Sequence, residues 1–275
     1  MLTCPVCNSD MHLFSQSTKY LFFNCRRCGF WTSRYIDFKM PYFEYEKAPD
    51  FVGRENGTFE KRICAAKRSL SYYFSLIGLI PKSFIDVGCS YGEYVGAAKS
   101  LGIKAFGIEV DSYKVECAKS YGLNVIKKDL VHDEFEFPKA KFILLRHVIE
   151  HIPEFLNLME KASDHLEGGG ILWVEVPNQG SIVNKIKANE GKVLHDERFR
   201  GALYPPTHIN GFTKNTMHYI GKRLNLKVKR IITYSFYDDK WSLEKIQVTY
   251  KGAILKFLSE IGLGENIAVI YQRTN

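Results

Sequence analysis

The sequence has no apolar run approaching the roughly 20 residues of a membrane-spanning helix. Its first residues, Met-Leu-Thr-Cys-Pro, lack the basic region and apolar run of a secretory signal peptide. It also contains no internal repeat and no low-complexity stretch. With 45% hydrophobic and 25% charged residues, the composition is that of a globular chain that can bury one large core plus a small appendage. We therefore expect a cytoplasmic protein without a transmembrane segment.

The sequence lacks the dense cysteine content of a small disulfide-rich protein, and four of its seven cysteines form two C-x-x-C pairs. Cys4 and Cys7 are separated by 17 residues from Cys25 and Cys28, a spacing typical of a four-cysteine zinc site. Four thiolates leave no open coordination position, so the zinc would be structural. Because so small a unit cannot fold by burial alone, the metal would supply its folding energy. We predict a zinc ribbon over residues 1–40, with redox use of the cysteine pairs as the alternative.

The stretch 83–92 predicts a buried strand, a tight turn and the start of a helix. Gly88 and Gly92 lack a Cβ, so the backbone can turn sharply and a ligand can approach it closely. The free N–H groups of the following helix would point at that ligand. Asp86 at the strand end favours a ligand that carries positive charge. The alternative is a glycine turn that merely packs the helix on the sheet.

The usual phosphate-binding motifs are missing from this turn. A P-loop closes with Gly-Lys-Ser/Thr, whereas Gly92 is followed by Glu93 and Tyr94. A dinucleotide fingerprint needs G-x-G-x-x-G, whereas the glycines here are Gly88, Gly92 and Gly96. The ligand is therefore expected to be neither a nucleoside triphosphate nor a dinucleotide.

The segment Asp86-Val-Gly88-Cys-Ser90-Tyr-Gly92 resembles the first motif of class I S-adenosylmethionine (SAM) dependent methyltransferases, Asp/Glu-x-Gly-x-Gly-x-Gly. Ser90 stands where the family has its middle glycine. The resemblance implies that SAM is the cofactor and that Asp86, Gly88, Ser90 and Gly92 bind it.

Apolar strands alternate with helices from about residue 59 onward, which predicts a parallel sheet covered on both faces. With the resemblance, this implies an α/β fold over residues 59–275: a Rossmann-like, doubly wound, seven-stranded sheet, mostly parallel, with an antiparallel last strand. Residues 178–212 are expected to be irregular. Residues 41–58 would be a connector, or a flap in which Tyr42 and Tyr45 cover the nucleotide.

Two acidic residues follow the next strands. Glu109 ends the second strand of this pattern, where a carboxylate can accept hydrogen bonds from both ribose hydroxyls of an adenosine; the alternative is an ordinary exposed acid. Asp129 and Leu130 follow the third strand. By resemblance, they would pair with the adenine amino group and pack against its ring.

The segment Arg146-His147-Val-Ile-Glu150-His151 follows the fourth strand. It formally matches an inverted zinc-protease motif, but that motif needs one continuous helix and Pro153 follows almost at once. It resembles instead the His-Val-Leu-Glu-His segment at the pocket lip of small-molecule and glycan methyltransferases. That likeness places Arg146 and His147 near the methionine part of SAM.

Two histidines are then candidate catalytic residues. The same likeness places His151 near the acceptor, where a neutral imidazole could take its proton. His208, in a Pro-Thr-His-Ile-Asn-Gly-Phe-Thr segment that also resembles this group, is a second candidate at the acceptor. Each has a purely structural alternative, as a histidine that shapes its loop or caps a helix.

These observations predict a SAM-dependent methyltransferase that modifies an oxygen of a small molecule or saccharide. The net charge of +8 suits an anionic acceptor, although solvated helix faces would give a similar count. The alternatives are a zinc-ribbon RNA methyltransferase and a non-catalytic SAM-domain binding module. No Asn/Asp-Pro-Pro-Tyr signature of base-amino methylation follows the fourth strand, so nucleic acid is the less favoured partner.

Overall fold

The structure, a computed structural model, describes residues 2–36, 58–133, 136–193, 200–235 and 257–274. The proposed flap residues Tyr42 and Tyr45 lie outside these ranges. In chain order the elements begin with β1 (His12–Gln16), β2 (Tyr20–Asn24), β3 (Trp31–Tyr35), α1 (Thr58–Ile77), β4 (Ser83–Val87), α2 (Glu93–Ser100), β5 (Lys104–Glu109), α3 (Ser112–Ser120) and β6 (Val125–Lys127). They continue with β7 (Ala140–Arg146), α4 (Phe155–Asp164), β8 (Leu166–Pro177), α5 (Ile182–Val193), β9 (Asn210–Gly211), α6 (Lys214–Arg223), β10 (Leu226–Tyr234) and β11 (Asn266–Arg273).

The larger sheet has seven strands in the order β10-β11-β8-β7-β4-β5-β6. β4, β5, β6, β7 and β8 pair in parallel, and β11 runs antiparallel to both of its neighbours. The central strands are buried on both faces, because they consist of apolar residues such as Phe84, Ile143 and Leu144. The predicted Rossmann-like architecture, with its antiparallel last strand, is confirmed.

A smaller sheet, in the order β1-β2-β3-β9, joins the N-terminal unit to the rest of the chain. β3 pairs antiparallel with β9, so that Trp31 lies opposite Gly211 and Thr32 opposite Asn210. The ring of Phe30 lies 5.4 Å from that of Phe155, which begins α4. The N-terminal unit therefore shares its apolar core with the large domain.

The segment 178–212 is more regular than the sequence predicted. It contains α5 and the short strand β9, and Asn178 and Gln179 at its start are buried. The amide of Gln179 donates to the carbonyl of Arg200 and its oxygen accepts from the backbone of Ala202. These hydrogen bonds hold Arg200 and Ala202 beside the start of the segment, and a hydrophobic pattern does not reveal them.

None of the helices within the described ranges combines the length and the apolar character needed to cross a membrane. Residues 257–260 are also helical.

Candidate active site and cysteine cluster

The glycine turn after β4 has the backbone conformation that the motif requires. Gly88 and Gly92 have φ of 73° and 84°, and Ser90 between them has φ of 52°. All three lie in the left-handed region, which side chains disfavour. A Cβ on Gly88 would come within 2.6 Å of Val148 Cγ2. The serine therefore keeps the turn that the middle glycine of the motif would make, and the 146–151 loop packs directly on it.

Glu109 holds this turn from the end of β5. One oxygen of its buried carboxylate accepts from the backbone N–H of Ser90 at 2.8 Å. The other accepts from the backbone N–H groups of Val110 and Asp111 at 2.9 and 3.1 Å. Glu109 is therefore a buried acid that joins the glycine turn to the end of the next strand, and the exposed-acid alternative is wrong.

The carboxylates around the turn create a negative environment. Asp86 at the end of β4 is buried, and burial, together with the charges of Glu93 and Glu109, raises its pKa well above the usual range. Arg62 of α1 forms an ion pair with Glu93 at the start of α2. A cationic group bound here would relieve the repulsion among these acids.

Asp129 and Leu130 follow β6 as predicted, but the Asp129 side chain is engaged locally. Its carboxylate accepts from the backbone N–H groups of Val131 and His132 and lies 2.8 Å from His132 Nδ1. Burial alone would raise the pKa of Asp129, but these hydrogen bonds outweigh it and lower the pKa. Leu130 is buried in the main core. Their roles toward adenine stay predictions.

Arg146 is oriented by a residue that the sequence reasoning missed. Glu175 of β8 is buried, and its Oε2 accepts from Arg146 Nε and from the Tyr234 hydroxyl, each at 2.9 Å. Its Oε1 accepts from Trp173 Nε1 at 2.9 Å. The Arg146 guanidinium also lies 5.4 Å from the ring centre of Tyr94. A glutamate inside the apolar strand was the available signal, since buried acids are rare unless paired.

The remaining residues of the 146–151 loop surround another buried acid, Glu150. His147 has φ of 53°, and its Nδ1 lies 3.2 Å from Glu150 Oε1. Glu150 is completely buried. Burial would raise its pKa, but the hydrogen bond from His147 and the nearby imidazole of His151 lower it. The sequence pattern alone indicates no role for Glu150.

His151 and His208 come together although 56 residues separate them in the sequence. Their ring centres lie 4.8 Å apart. His151 Nδ1 lies 2.8 Å from the Thr207 carbonyl and His208 Nδ1 lies 3.2 Å from the Ala202 carbonyl. A carbonyl only accepts, so each Nδ1 carries the proton and each Nε2 keeps its lone pair. Burial lowers the pKa of His208, which favours its neutral form.

Cys4, Cys7, Cys25 and Cys28 form one cluster with all sulfur atoms within 4.8 Å of one another. Cys4 Sγ lies 3.5 Å from Cys28 Sγ, and Cys7 Sγ lies 3.4 Å from Cys25 Sγ. Tetrahedral zinc with bonds of about 2.3 Å separates its sulfurs by about 3.8 Å, so the cluster fits the ion. None of the seven cysteines, all within the described ranges, forms a disulfide.

The two C-x-x-C turns have the same local geometry. The backbone N–H of Asn8 donates to the Cys4 carbonyl, and that of Gly29 donates to the Cys25 carbonyl. Asn8 and Gly29 both have positive φ, at 58° and 77°. The second turn also docks on the start of α6, because the Thr216 hydroxyl donates to the Cys28 carbonyl at 3.0 Å.

Comparison with known proteins agrees with this architecture. Residues 59–231 match the family model described as "Methyltransferase domain". No curated protein matches the sequence significantly. A SAM-dependent methyltransferase from Archaeoglobus fulgidus is 18% identical with a TM-score of 0.53, over 78% of this chain and 95% of that one.

Two further solved structures have similar folds. A possible histamine N-methyltransferase from Thermotoga maritima is 16% identical with a TM-score of 0.52, over 80% of this chain and 97% of that one. The plantazolicin methyltransferase BpumL, solved with SAH, is 17% identical with a TM-score of 0.51, over 81% of this chain and 86% of that one. At these identities the likeness concerns the fold.

Proposed function

Since this chain belongs to the methyltransferase domain family, we propose that it is a SAM-dependent enzyme. We further propose that it methylates an oxygen of a small molecule or saccharide. The oxygen attacks the methyl carbon of SAM, the carbon–sulfur bond breaks, and its electron pair stays on sulfur as a neutral thioether. The acceptor loses its proton in the same event. Positioning the two reactants can contribute up to about 7–11 kcal/mol to such a step.

The donor would lie over the glycine turn. Gly88, Ser90 and Gly92 would let the donor approach the backbone of this turn closely. The Glu109 carboxylate would accept hydrogen bonds from the ribose hydroxyls. The acidic surroundings of Asp86 suit the positive sulfonium and ammonium groups of SAM. Asp129 and Leu130 would hold the adenine.

Arg146 and His147 would face the methionine part of the donor. The ion pair with buried Glu175 fixes the direction of the Arg146 guanidinium, which then suits a carboxylate such as that of methionine. His147 lies in the same loop, which packs on the glycine turn through Val148.

The observation that carries the acceptor proposal is the convergence of His151 and His208. Both imidazoles are held by backbone carbonyls so that Nε2 is free of a proton. We propose that the acceptor oxygen loses its proton at this pair. The lowered pKa of His208 keeps that imidazole available in its neutral form at physiological pH.

The zinc ribbon, residues 1–40, would then have a structural role. Cys4, Cys7, Cys25 and Cys28 would hold one zinc ion, whose binding supplies folding energy. The free cysteines suit a reducing compartment such as the cytoplasm. The surplus of positive charge favours an anionic acceptor.

The test combines donor binding with an acceptor screen. SAM should bind by calorimetry, and transfer of labelled methyl should be found among saccharides and small hydroxyl compounds. His151→Ala should leave SAM affinity nearly unchanged but reduce turnover by about 10²–10⁴-fold. The loss of turnover should become smaller as pH rises, because an acceptor hydroxyl that ionises in solution no longer needs a histidine to take its proton.

Other results would change the assignment. Transfer confined to RNA would replace the saccharide acceptor with the ribbon RNA methyltransferase alternative. SAM binding without transfer to any acceptor would favour the binding module. Full turnover in both His151→Ala and His208→Ala would point to an acceptor that is already nucleophilic, such as an amine or thiol.

A further inference from the structure

Three ligating side chains converge beside the proposed acceptor position, on two segments distant in the sequence. Glu150 and His151 come from the loop after β7, and His208 comes from the loop before β9. Their ligating atoms all lie within 4.8 Å of one another. His151 Nε2 lies 4.0 Å from Glu150 Oε1.

The hydrogen bonds around these histidines leave the correct nitrogens free for a metal. In metal sites a ligating histidine donates its other ring N–H to a carbonyl or carboxylate, which fixes the tautomer. His151 does this toward Thr207 and His208 toward Ala202, in both cases through Nδ1. Both Nε2 atoms therefore keep a lone pair that can bind a metal ion.

Glu150 supplies a second, independent observation. Its side chain is completely buried, and its Oε2 has no hydrogen-bond partner among the described residues. Its Oε1 accepts from His147, as the carboxylates of metal sites are usually supported by a neighbour. A buried carboxylate oxygen without a donor is costly unless a cation or a donor satisfies it.

We propose that Glu150, His151 and His208 bind a divalent first-row transition-metal ion, of the class of zinc or cobalt, in addition to the zinc of the ribbon. Two imidazoles and one carboxylate suit these ions better than magnesium or calcium. Ligands that share an ion at about 2.1 Å lie about 3.0–3.4 Å apart. The three ligating atoms lie within 4.8 Å of one another, so they would have to move closer together when the ion binds.

Such a site has three protein ligands and open positions, which distinguishes it from the closed four-cysteine site. A hydroxyl oxygen of the acceptor would take an open position, and the charge of the ion would lower its pKa, as it does for bound water. With the ion bound, the Nε2 atoms of His151 and His208 are ligands and do not accept the proton. The O–H proton then passes to solvent water instead of to the histidine pair, and the oxygen electron pair attacks the methyl carbon. This step deepens the proposed function and rests on it, but the metal site itself does not.

The test uses the full chain with zinc already in its ribbon and Co²⁺ alone as the probe. Calorimetry and the visible spectrum should show one equivalent of Co²⁺ bound. The spectrum should lack the thiolate-to-cobalt charge-transfer band that exchange into the ribbon would produce. Saturating Co²⁺ should also increase turnover on any acceptor found by the screen.

The variants are chosen so that the fold is kept. His151→Asn and His208→Asn retain a donor where Nδ1 was, toward the Thr207 and Ala202 carbonyls, but lack the distal nitrogen. Each of these two variants, and likewise the single variant Glu150→Gln, should weaken Co²⁺ binding by at least about tenfold. The matched control is His218→Ala, which removes an exposed histidine of α6 and should bind Co²⁺ as the wild type does.

Two outcomes overturn the proposal. The first is no Co²⁺ bound beyond the ribbon in protein that still binds SAM. The second is Co²⁺ binding that is unchanged in all three variants. Co²⁺ bound as predicted, with no methyl transfer to any hydroxyl acceptor, would instead sustain the metal site and refute the proposed acceptor.

Discussion

Glu109→Ala is the substitution that most directly tests how the donor is bound. In the protein, the Glu109 carboxylate accepts from the backbone N–H groups of Ser90, Val110 and Asp111. If it also accepts from the ribose hydroxyls, its loss should affect both the stability of the turn and the affinity for SAM. The two effects have different sizes and can be measured separately.

The magnitudes follow from the hydrogen bonds that are lost. A hydrogen bond to a charged group contributes about 1.5–3 kcal/mol, and less is lost where water can replace the carboxylate. We expect SAM affinity to fall by about 1–3 kcal/mol, which is about 5- to 150-fold. Leaving the Ser90, Val110 and Asp111 N–H groups without their acceptor should also reduce the free energy of unfolding by about 2–4 kcal/mol.

The assay is calorimetric SAM binding below the unfolding temperature of the variant. An analogue of SAM without the 2′-hydroxyl separates a ribose contact from a distorted turn. The wild type should bind this analogue more weakly than it binds SAM. Glu109→Ala should bind the analogue and SAM with about equal affinity. The control is Glu116→Ala, which removes an exposed glutamate of α3. Unchanged SAM affinity in folded Glu109→Ala would refute the ribose assignment.

Three further predictions concern the ribbon, the arginine and pH. Cys28→Ser should bind less than one zinc per chain by elemental analysis. It should also unfold at a lower temperature, because the second cysteine turn docks on α6. Zinc-free wild-type protein that was never exposed to chelator would contradict this prediction. Glu175→Gln should raise the KM for SAM more than it lowers kcat, since it removes the charge that directs Arg146; an unchanged KM would mean that Arg146 does not contact the donor. Bonds from His132 and the backbone lower the pKa of Asp129, so its stabilising contribution is complete above the unfolded pKa of about 3.9 and is lost as pH falls through the lower folded value. The difference in unfolding temperature between wild type and Asp129→Asn should therefore shrink between about pH 6 and about pH 3, and a constant difference would contradict it.

The buried side chain of Asn210 connects the N-terminal unit with the loop that carries His151. Asn210 of β9 donates from Nδ2 to the carbonyl of Ile152 at 2.7 Å, next to His151. Thr32 of β3 donates to the carbonyl of Ile209 and to Asn210 Oδ1, each at 3.2 Å. If the four cysteines hold zinc as proposed, its loss should therefore disturb the loop of His151 before it disturbs the glycine turn at Gly88.

Local features of the chain could be predicted because a few consecutive residues determine them. The two C-x-x-C turns depend on backbone hydrogen bonds within five residues and on a positive φ at Asn8 and Gly29. The strand, turn and helix around Gly88 depend on apolar residues followed by residues that tolerate a left-handed backbone. Alternating strands and helices then restrict the sheet to a few topologies, since parallel crossovers are right-handed.

What the tertiary structure decided lies in contacts between distant segments. The sequence predicted neither the pairing of β3 with β9 nor the helix α5 within residues 178–212. Glu175 could be noticed as an acid in an apolar strand, but its partners Arg146 and Tyr234 come from other strands. Likewise, Asp129 keeps its predicted place after β6, while its carboxylate is bound by its own turn.

His151 and His208 show the same division most clearly. Sequence resemblance singled out His151 and His208 one at a time. Their 4.8 Å approach, and the buried Glu150 beside them, result from the path of the chain between them. The hydrogen bonds of helices and turns join residues that are close in the sequence, so a short stretch of sequence is enough to predict them. The meeting of two loops depends on every packed layer beneath them, and only the folded core fixes it.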